Sequence, residues 1–376
     1  MPVLSDENTP SPLVSVLIPV YNADDGLLAR TLGAIFGQTL QSFEIVLVDD
    51  GSSNGCVKRI PPKYLNDARL RVIRQDNTGV QGAVNTGLKH IRGTFFYSMA
   101  QDDFVHPQTL EYCMYVLKKE DADFCIFNAF EYGQGGIPEC SLFKDFDAPS
   151  YKVLSYACRE SNPVEYANAF YKLNMDGWGH FARTSLVKEI HAMWPMYDCQ
   201  TRPHLMMIHS RRWVSSTIQL YYYNSENPDS ISKKSLTSSF VSRAQDDFEA
   251  LCMLYDQDRR SAKTFAIWES VLDNFIIKGV KMVVNGFRRL NKNCAEDMNV
   301  ACLRAISGML WRLRRRGALP MTRINFRLYL IFRWIMFRYK PSDDIAEAKK
   351  SYNGIDFGKY LTDPCCINKP TKGESK

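Results

Sequence analysis

Apolar residues along the first third of the chain follow two alternating rhythms. Val14-Ser15-Val16-Leu17-Ile18-Pro19-Val20 is short, apolar and β-branched, and Phe43-Glu44-Ile45-Val46-Leu47-Val48 repeats the pattern. Runs of that length and composition predict strands buried on both faces. Between them, Leu27, Leu28, Leu32, Ile35 and Phe36 recur at helical spacing and predict a helix over 24–37. The alternation continues with a strand at Leu70 to Ile73, a helix from Val80 to Ile91 and a strand from Thr94 to Met99. A helix over 107–119 and a strand from Phe124 to Phe130 follow. Strand, helix, strand, helix in that order predicts an α/β fold, Rossmann-like, with a mostly parallel sheet and helices on both faces.

Beyond that point the pattern changes. Residues 132–165 carry Gly133, Gly135, Gly136, Pro138 and Pro163 and read as a loop or insertion. Residues 166–223 return to strand and helix, ending in Leu220-Tyr221-Tyr222-Tyr223. From about residue 236 the periodicity is helical throughout. The expected organisation is a disordered tail over 1–12, an α/β domain over 13–235, a helical region over 236–345 and a flexible tail over 346–376.

In parallel α/β sheets, ligands bind outside the carboxyl ends of the strands. Four polar clusters fall there: Tyr21-Asn22, Asp49-Asp50, Asp76-Asn77 and Asp102-Asp103. One ligand explains all four better than four unrelated loops would. Asp102 suits a hard divalent cation, which takes oxygen ligands and often only one or two carboxylates. Asp103 would orient Asp102 or contact the ligand. The competing reading of the pair is a helix N-cap, because Pro107 opens a helix close by. Asp49 or Asp50 would accept hydrogen bonds from a base or ribose, against the alternative of an Asx-turn. Asn77-Thr78-Gly79 and Asn85-Thr86-Gly87 read as turns or sites of close backbone approach.

The ordered set Val16 to Asn22, Ile45 to Ser53, Asn77-Thr78-Gly79-Val80, Asn85-Thr86-Gly87-Leu88 and Gln101-Asp102-Asp103 resembles the family 2 glycosyltransferases over roughly residues 12–130, and more loosely to about 232. The resemblance implies a GT-A fold, a nucleotide-diphospho-sugar donor (a UDP-sugar first), Mn²⁺ or Mg²⁺, and transfer with inversion. It implies a nucleotide pocket lined by Pro19, Tyr21, Asn22, Asp49, Asp50, Asn77, Gly79, Asn85, Gln101 and Asp103, with Asp102 as the metal ligand. The catalytic base expected between Trp178-Gly179-His180 and the tyrosine run falls to Asp198, with Asp176 as the second candidate; the family's Glu-Asp pair is replaced by Cys199-Gln200. Two more positions depart from the family pattern: Ala100 stands where an aspartate is usual, and Val84 where an arginine is. Ala100 and the missing Glu-Asp pair favour a second reading, a catalytically silent GT-A module that binds nucleotide or a partner protein.

Composition changes this picture little. The chain has 376 residues, 45% hydrophobic and 23% charged, with a formal net charge of +6. That charge does not imply nucleic acid, and no nucleic-acid signature accompanies it. Eleven cysteines form no CxxC pattern, which predicts reduced thiols in the cytoplasm rather than a secreted disulfide framework. Neither a signal peptide nor an apolar run of about 18 residues is expected. Residues 301–341 hold ten Arg or Lys and no Asp or Glu, interleaved with aromatics such as Trp311, Phe326 and Trp334. That composition suits a helix on an anionic membrane surface, peripheral on the cytoplasmic face, where a saccharide or lipid-linked saccharide acceptor would be met. A helical subdomain with inward aromatics is the equal alternative.

Overall fold

The computed structural model describes residues 11–132, 141–147, 151–154, 179–193, 206, 209–225 and 227. The parallel half of the sheet forms where the apolar runs predict it. β1 (Val14–Val20), β2 (Phe43–Asp50), β3 (Leu70–Gln75) and β4 (Phe95–Ser98) pair side by side in the order β3-β2-β1-β4, all parallel. Every residue of β1 and β2 is buried. β3 is the edge, and its outward positions Val72 and Arg74 are exposed.

Helices cover both faces. α1 (Asp25–Phe36) and α4 (Thr109–Lys119) share one core with Val14, Val16 and Ile18 of β1. α3 (Gly79–Leu88) packs on the opposite side against β1 and β2, with Gly87 close against Leu17. A short α2 (Pro62–Leu65) precedes β3. Burying a Val, Ile or Leu side chain contributes about 1.5–3 kcal/mol, so the two-sided burial of β1 and β2 dominates the stability of this half. α1 starts where Asp24 caps it, its carboxylate accepting the Leu27 N–H at 2.9 Å.

Past β4 the sheet is mixed rather than parallel. β8 (His180–Arg183) pairs antiparallel with both β4 and β6 (Phe124–Tyr132). β9 (Trp213–Asn224) runs parallel to β6 and antiparallel to both β5 (Phe104–Val105) and β7 (Tyr151–Leu154). The sheet order is therefore β3-β2-β1-β4-β8-β6-β9-β5, with β7 also on β9. β7 is a strand inside the stretch expected to be irregular. α5 (Thr184–Met193) packs against β8 and β4. Among the described residues no helix is long and apolar enough to cross a membrane. The boundaries expected at residues 236 and 345, and the basic segment 301–341, lie outside the described residues.

At the amino ends of the strands, Glu44 is buried with four donors around it. Its Oε1 accepts from Ser15 Oγ and the Arg92 N–H, both at 2.7 Å. Its Oε2 accepts from Arg92 Nε at 2.9 Å and Arg71 Nη1 at 3.1 Å. Burial alone would raise this carboxyl, but the bonds from Ser15 and Arg92 and the flanking guanidinium charge outweigh it and hold the pKa below its ordinary value. The cluster sits opposite the candidate ligand edge and fastens β1, β2, β3 and the turn before β4.

Candidate functional site

The four polar clusters do meet along one edge, at or just after the last residues of β1, β2, β3 and β4. Pro19 lies near the end of β1, past Leu17, the last β1 residue that β4 pairs. A residue with no N–H is tolerated at such a place. Tyr21 follows with 49% of its surface exposed. Asn22 has φ of +46°, in the left-handed region that asparagine tolerates. Its Oδ1 accepts from the N–H groups of Ser53 and Asn54 at 2.9 and 3.1 Å, and its own N–H donates to Ser52 Oγ at 3.0 Å. Asn22 therefore fastens the loop after β1 to the loop after β2.

Asp49 and Asp50 are equally buried, each 2% exposed, and do different things. Both oxygens of Asp49 are committed. Oδ1 accepts the Ser52 N–H at 2.9 Å, an Asx-type turn contact, and Oδ2 accepts from Arg74 Nη1 at 2.5 Å. Asp50, which points to the other side of the strand, accepts Gln75 Nε2 at 2.7 Å, the Thr78 N–H at 2.9 Å and Thr78 Oγ1 at 3.4 Å, all on Oδ1. Its Oδ2 accepts from none of the described residues and is the carboxylate oxygen left for a ligand.

Gly51 and Gly79 shape the floor. Gly51 has φ of +75°, and a Cβ there would lie 2.9 Å from the Asn77 nitrogen. That position needs glycine for both reasons. Gly79 has φ of +81° with open space where a Cβ would be. It begins α3, so the unpaired N–H groups of that helix face the same edge. Asn77 is exposed, its Oδ1 accepting the Gly79 N–H at 3.3 Å, and Asn85 lies about one and two-thirds turns past Gly79 on α3.

The turn after β4 is held from three directions. The Gln101 side chain meets the backbone of Tyr21, accepting its N–H at 2.8 Å and donating to its carbonyl at 3.2 Å. The Thr31 hydroxyl of α1 lies 2.9 Å from the carbonyls of both Gln101 and Asp103. Asp103, 1% exposed, accepts a hydrogen bond from the Tyr221 hydroxyl and, on its other oxygen, the Asn224 N–H at 2.8 Å. The Tyr221 Oη also lies 3.4 Å from the Ala100 N–H. Asp103 is thus the clasp between this turn and β9, a role its sequence position does not signal, because its partners lie more than 110 residues away.

Asp102 is half-buried, and its side-chain partner is neutral: Asn227 Nδ2 donates to Oδ2 at 2.5 Å. Burial pushes its carboxyl pKa up, and the bond from Asn227 opposes the shift. A carboxylate with no Lys or Arg paired to it among the described residues, at the edge where the other polar groups converge, fits a hard divalent ion. Among the described residues no three His, Cys, Asp or Glu side chains gather as a metal cage. An ion held by one or two carboxylates plus ligand phosphates needs none.

Other expectations sort differently. Asp176, Trp178 and Asp198 lie outside the described residues. His180 is buried on β8, and burial lowers the pKa of His209. Sequence reasoning passed over His106, which is buried on the far side of β5. Its Nδ1 accepts the Gln108 N–H at 3.2 Å, its Nε2 lies 3.2 Å from the Ser141 carbonyl, and its ring packs on Phe143. Burial lowers its pKa as well, which is the pattern of a neutral structural imidazole. Cys56, Cys113 and Cys125 are free and buried.

Comparison with known proteins finds relatives over the first third of the chain and a shared fold over more of it. Residues 15–139 match the model of the glycosyl transferase family 2. A chondroitin synthase from Escherichia coli is 32% identical over 116 residues, covering 31% of this chain and 17% of that protein. The glycosyltransferase GlyG from Streptococcus pneumoniae is 33% identical over 125 residues, covering 33% of this chain and 41% of GlyG. The chain thus spans less than half the length of these relatives. The crystal structure of S. aureus TarS 1–349 in complex with UDP-GlcNAc superposes with a TM-score of 0.63 at 19% identity, over 90% of this chain and 91% of that one. The shared architecture is the GT-A fold.

Proposed function

Residues 15–139 belong to the family 2 glycosyltransferases, and from that premise we propose that the chain moves a sugar from a UDP-sugar to a saccharide or lipid-linked saccharide acceptor with inversion. The observation that carries the proposal is the convergence of Tyr21, Asp50 Oδ2, the start of α3 and Asp102 along one sheet edge. The exposed Tyr21 ring offers a face for a nucleobase. Asp50 Oδ2 accepts from the base or ribose. Asp102 would hold Mn²⁺ or Mg²⁺, which when bound neutralises charge on the leaving diphosphate. Pro19, Asn22, Asp49, Asn77, Asn85, Gln101 and Asp103 shape the pocket from behind.

In the reaction, the acceptor oxygen bonds to the anomeric carbon from one side as the carbon–oxygen bond to the diphosphate breaks on the other. The acceptor proton passes to a carboxylate, which we assign to Asp198 with Asp176 as the alternate. The domain boundaries proposed are 13–235 for the transferase and 236–345 for the helical region. Residues 301–341 would lie on an anionic membrane at the cytoplasmic face.

Ala100 supports the second reading, a GT-A module that binds nucleotide without turnover. Transfer and hydrolysis assays with UDP-, GDP- and dTDP-sugars plus Mn²⁺ separate the two. Turnover with one donor class upholds the enzyme. A thermal shift with UDP and Mn²⁺ but no turnover moves the assignment to the silent module. Flotation with anionic liposomes tests the tail: no association sinks the membrane placement.

A further inference from the structure

The β1–β4 ladder ends early. Its last links are the pairing of Leu17 with Ser98 and the bond from the Met99 N–H to the Leu17 carbonyl at 3.1 Å. Pro19 supplies no N–H to extend it. The two chains are rejoined beyond that gap by a side chain: the Gln101 carboxamide accepts the Tyr21 N–H at 2.8 Å and donates to the Tyr21 carbonyl at 3.2 Å. One primary amide thus copies both halves of a peptide-to-peptide pairing across 80 residues of sequence. Tyr21 is the exposed ring of the edge, and the residue bonded to Gln101 in the chain is Asp102. The backbone behind the ring and the backbone behind the carboxylate are fastened to each other.

We propose that Gln101 is a positioning residue that couples the nucleoside and cation subsites, so that ordering one loop orders the other. This rests on the proposed nucleotide-sugar site and extends it. Both loops must be fixed for their ligands to bind, and ordering has an entropic cost. With the clamp in place the first ligand bears that cost for both loops, and the second binds more tightly. The coupling is reciprocal, as linkage requires. It needs no contact between the ligands, which separates it from the trivial coupling of a cation that bridges phosphates.

Uridine is the appropriate probe because it has no phosphate. Calorimetric titration of the full chain with uridine, with and without saturating Mg²⁺, gives the coupling ratio directly. The wild type should bind uridine at least about fivefold more tightly with Mg²⁺, the lower end of ordinary allosteric coupling. The ratio should fall to about one in Gln101→Ala and in Gln101→Met, which keeps side-chain length without the amide. A merely structural role would change stability or both affinities without moving this ratio. A wild-type ratio of one overturns the coupling whatever the variants do, and so does a wild-type ratio retained in both variants. In those cases uridine and Mg²⁺ still bind, and the nucleotide-site reading stands. Wild-type protein that binds neither probe refutes that reading and the coupling with it.

Discussion

Asp50→Asn separates binding from folding at a single atom. Asp50 Oδ1 takes all three of its hydrogen bonds, from Gln75 Nε2, the Thr78 N–H and Thr78 Oγ1, and Oδ2 accepts from none of the described residues. An asparagine can put its amide oxygen where Oδ1 was and keep all three. Its NH₂ then replaces Oδ2 and presents a donor where a base imide or ribose hydroxyl needs an acceptor. A hydrogen bond to a charged group is worth about 1.5–3 kcal/mol. At 1.4 kcal/mol per factor of ten, UDP should bind about 10- to 150-fold more weakly. The assay is calorimetric titration with UDP and Mn²⁺, run beside urea unfolding, in which stability should change by less than about 0.5 kcal/mol. Asp49→Asn is the control. Both Asp49 oxygens are engaged, by Ser52 and Arg74, so no orientation of an amide satisfies both. Because the Arg74 side chain is 61% exposed, the stability loss should stay near 1–2 kcal/mol. UDP affinity within twofold of wild type for Asp50→Asn refutes the assignment of Oδ2 to the ligand.

Three further outcomes are expected. Asp102→Ala should abolish metal-dependent transfer while far-UV circular dichroism stays native; wild-type turnover would remove Asp102 from the site. Asp198→Asn should slow transfer by about 100-fold or more if Asp198 takes the acceptor proton, and a near-normal rate would shift that role to Asp176. Glu44→Gln should destabilise the fold by about 2 kcal/mol at pH 7 in urea titrations, because an amide turns its oxygen to the buried Ser15 and Arg92 N–H donors, takes the carboxylate from both partly exposed guanidinium groups and leaves Arg71 only the His90 carbonyl. Since the folded-state pKa lies below the ordinary glutamate value of 4.5, the wild-type advantage is present above that value and is lost as pH falls through the folded pKa; a difference unchanged down to pH 3 would contradict this account.

What the sequence made legible was set by local chemistry. β1, β2 and the helices between strands follow from apolar periodicity, and the ligand edge follows from where polar turns interrupt it. β5 is two residues long and β7 four, too short for any periodicity to register, and both exist by pairing with β9. The same limit blurs the site. Asp49 and Asp50 look alike as neighbours in one turn, and their difference comes from which side of the strand each faces: Arg74 and Ser52 on one, Gln75 and Thr78 on the other. Gln101 reads as a ligand contact until Tyr21 is placed opposite it. Asp103 reads as a helper of Asp102 until Tyr221 and Asn224 arrive from β9. The alternation of side chains along β2 was the available signal for the first case. The other two depend on contacts between distant segments, for which a single chain gives no pattern.

The place of β9 has a practical consequence for dividing this chain. The family match ends at residue 139, yet β9, at 213–224, runs between β6 and β5 and supplies two partners of the buried Asp103 carboxylate. A fragment cut at the similarity boundary would carry all four polar clusters of the strand ends. It would also strip β6 of both its neighbours, β8 and β9, and Asp103 of its Tyr221 and Asn224 partners beside the proposed cation subsite. The segment that matches the family is shorter than the sheet it belongs to, and fragments meant to test nucleotide binding should run past Asn227.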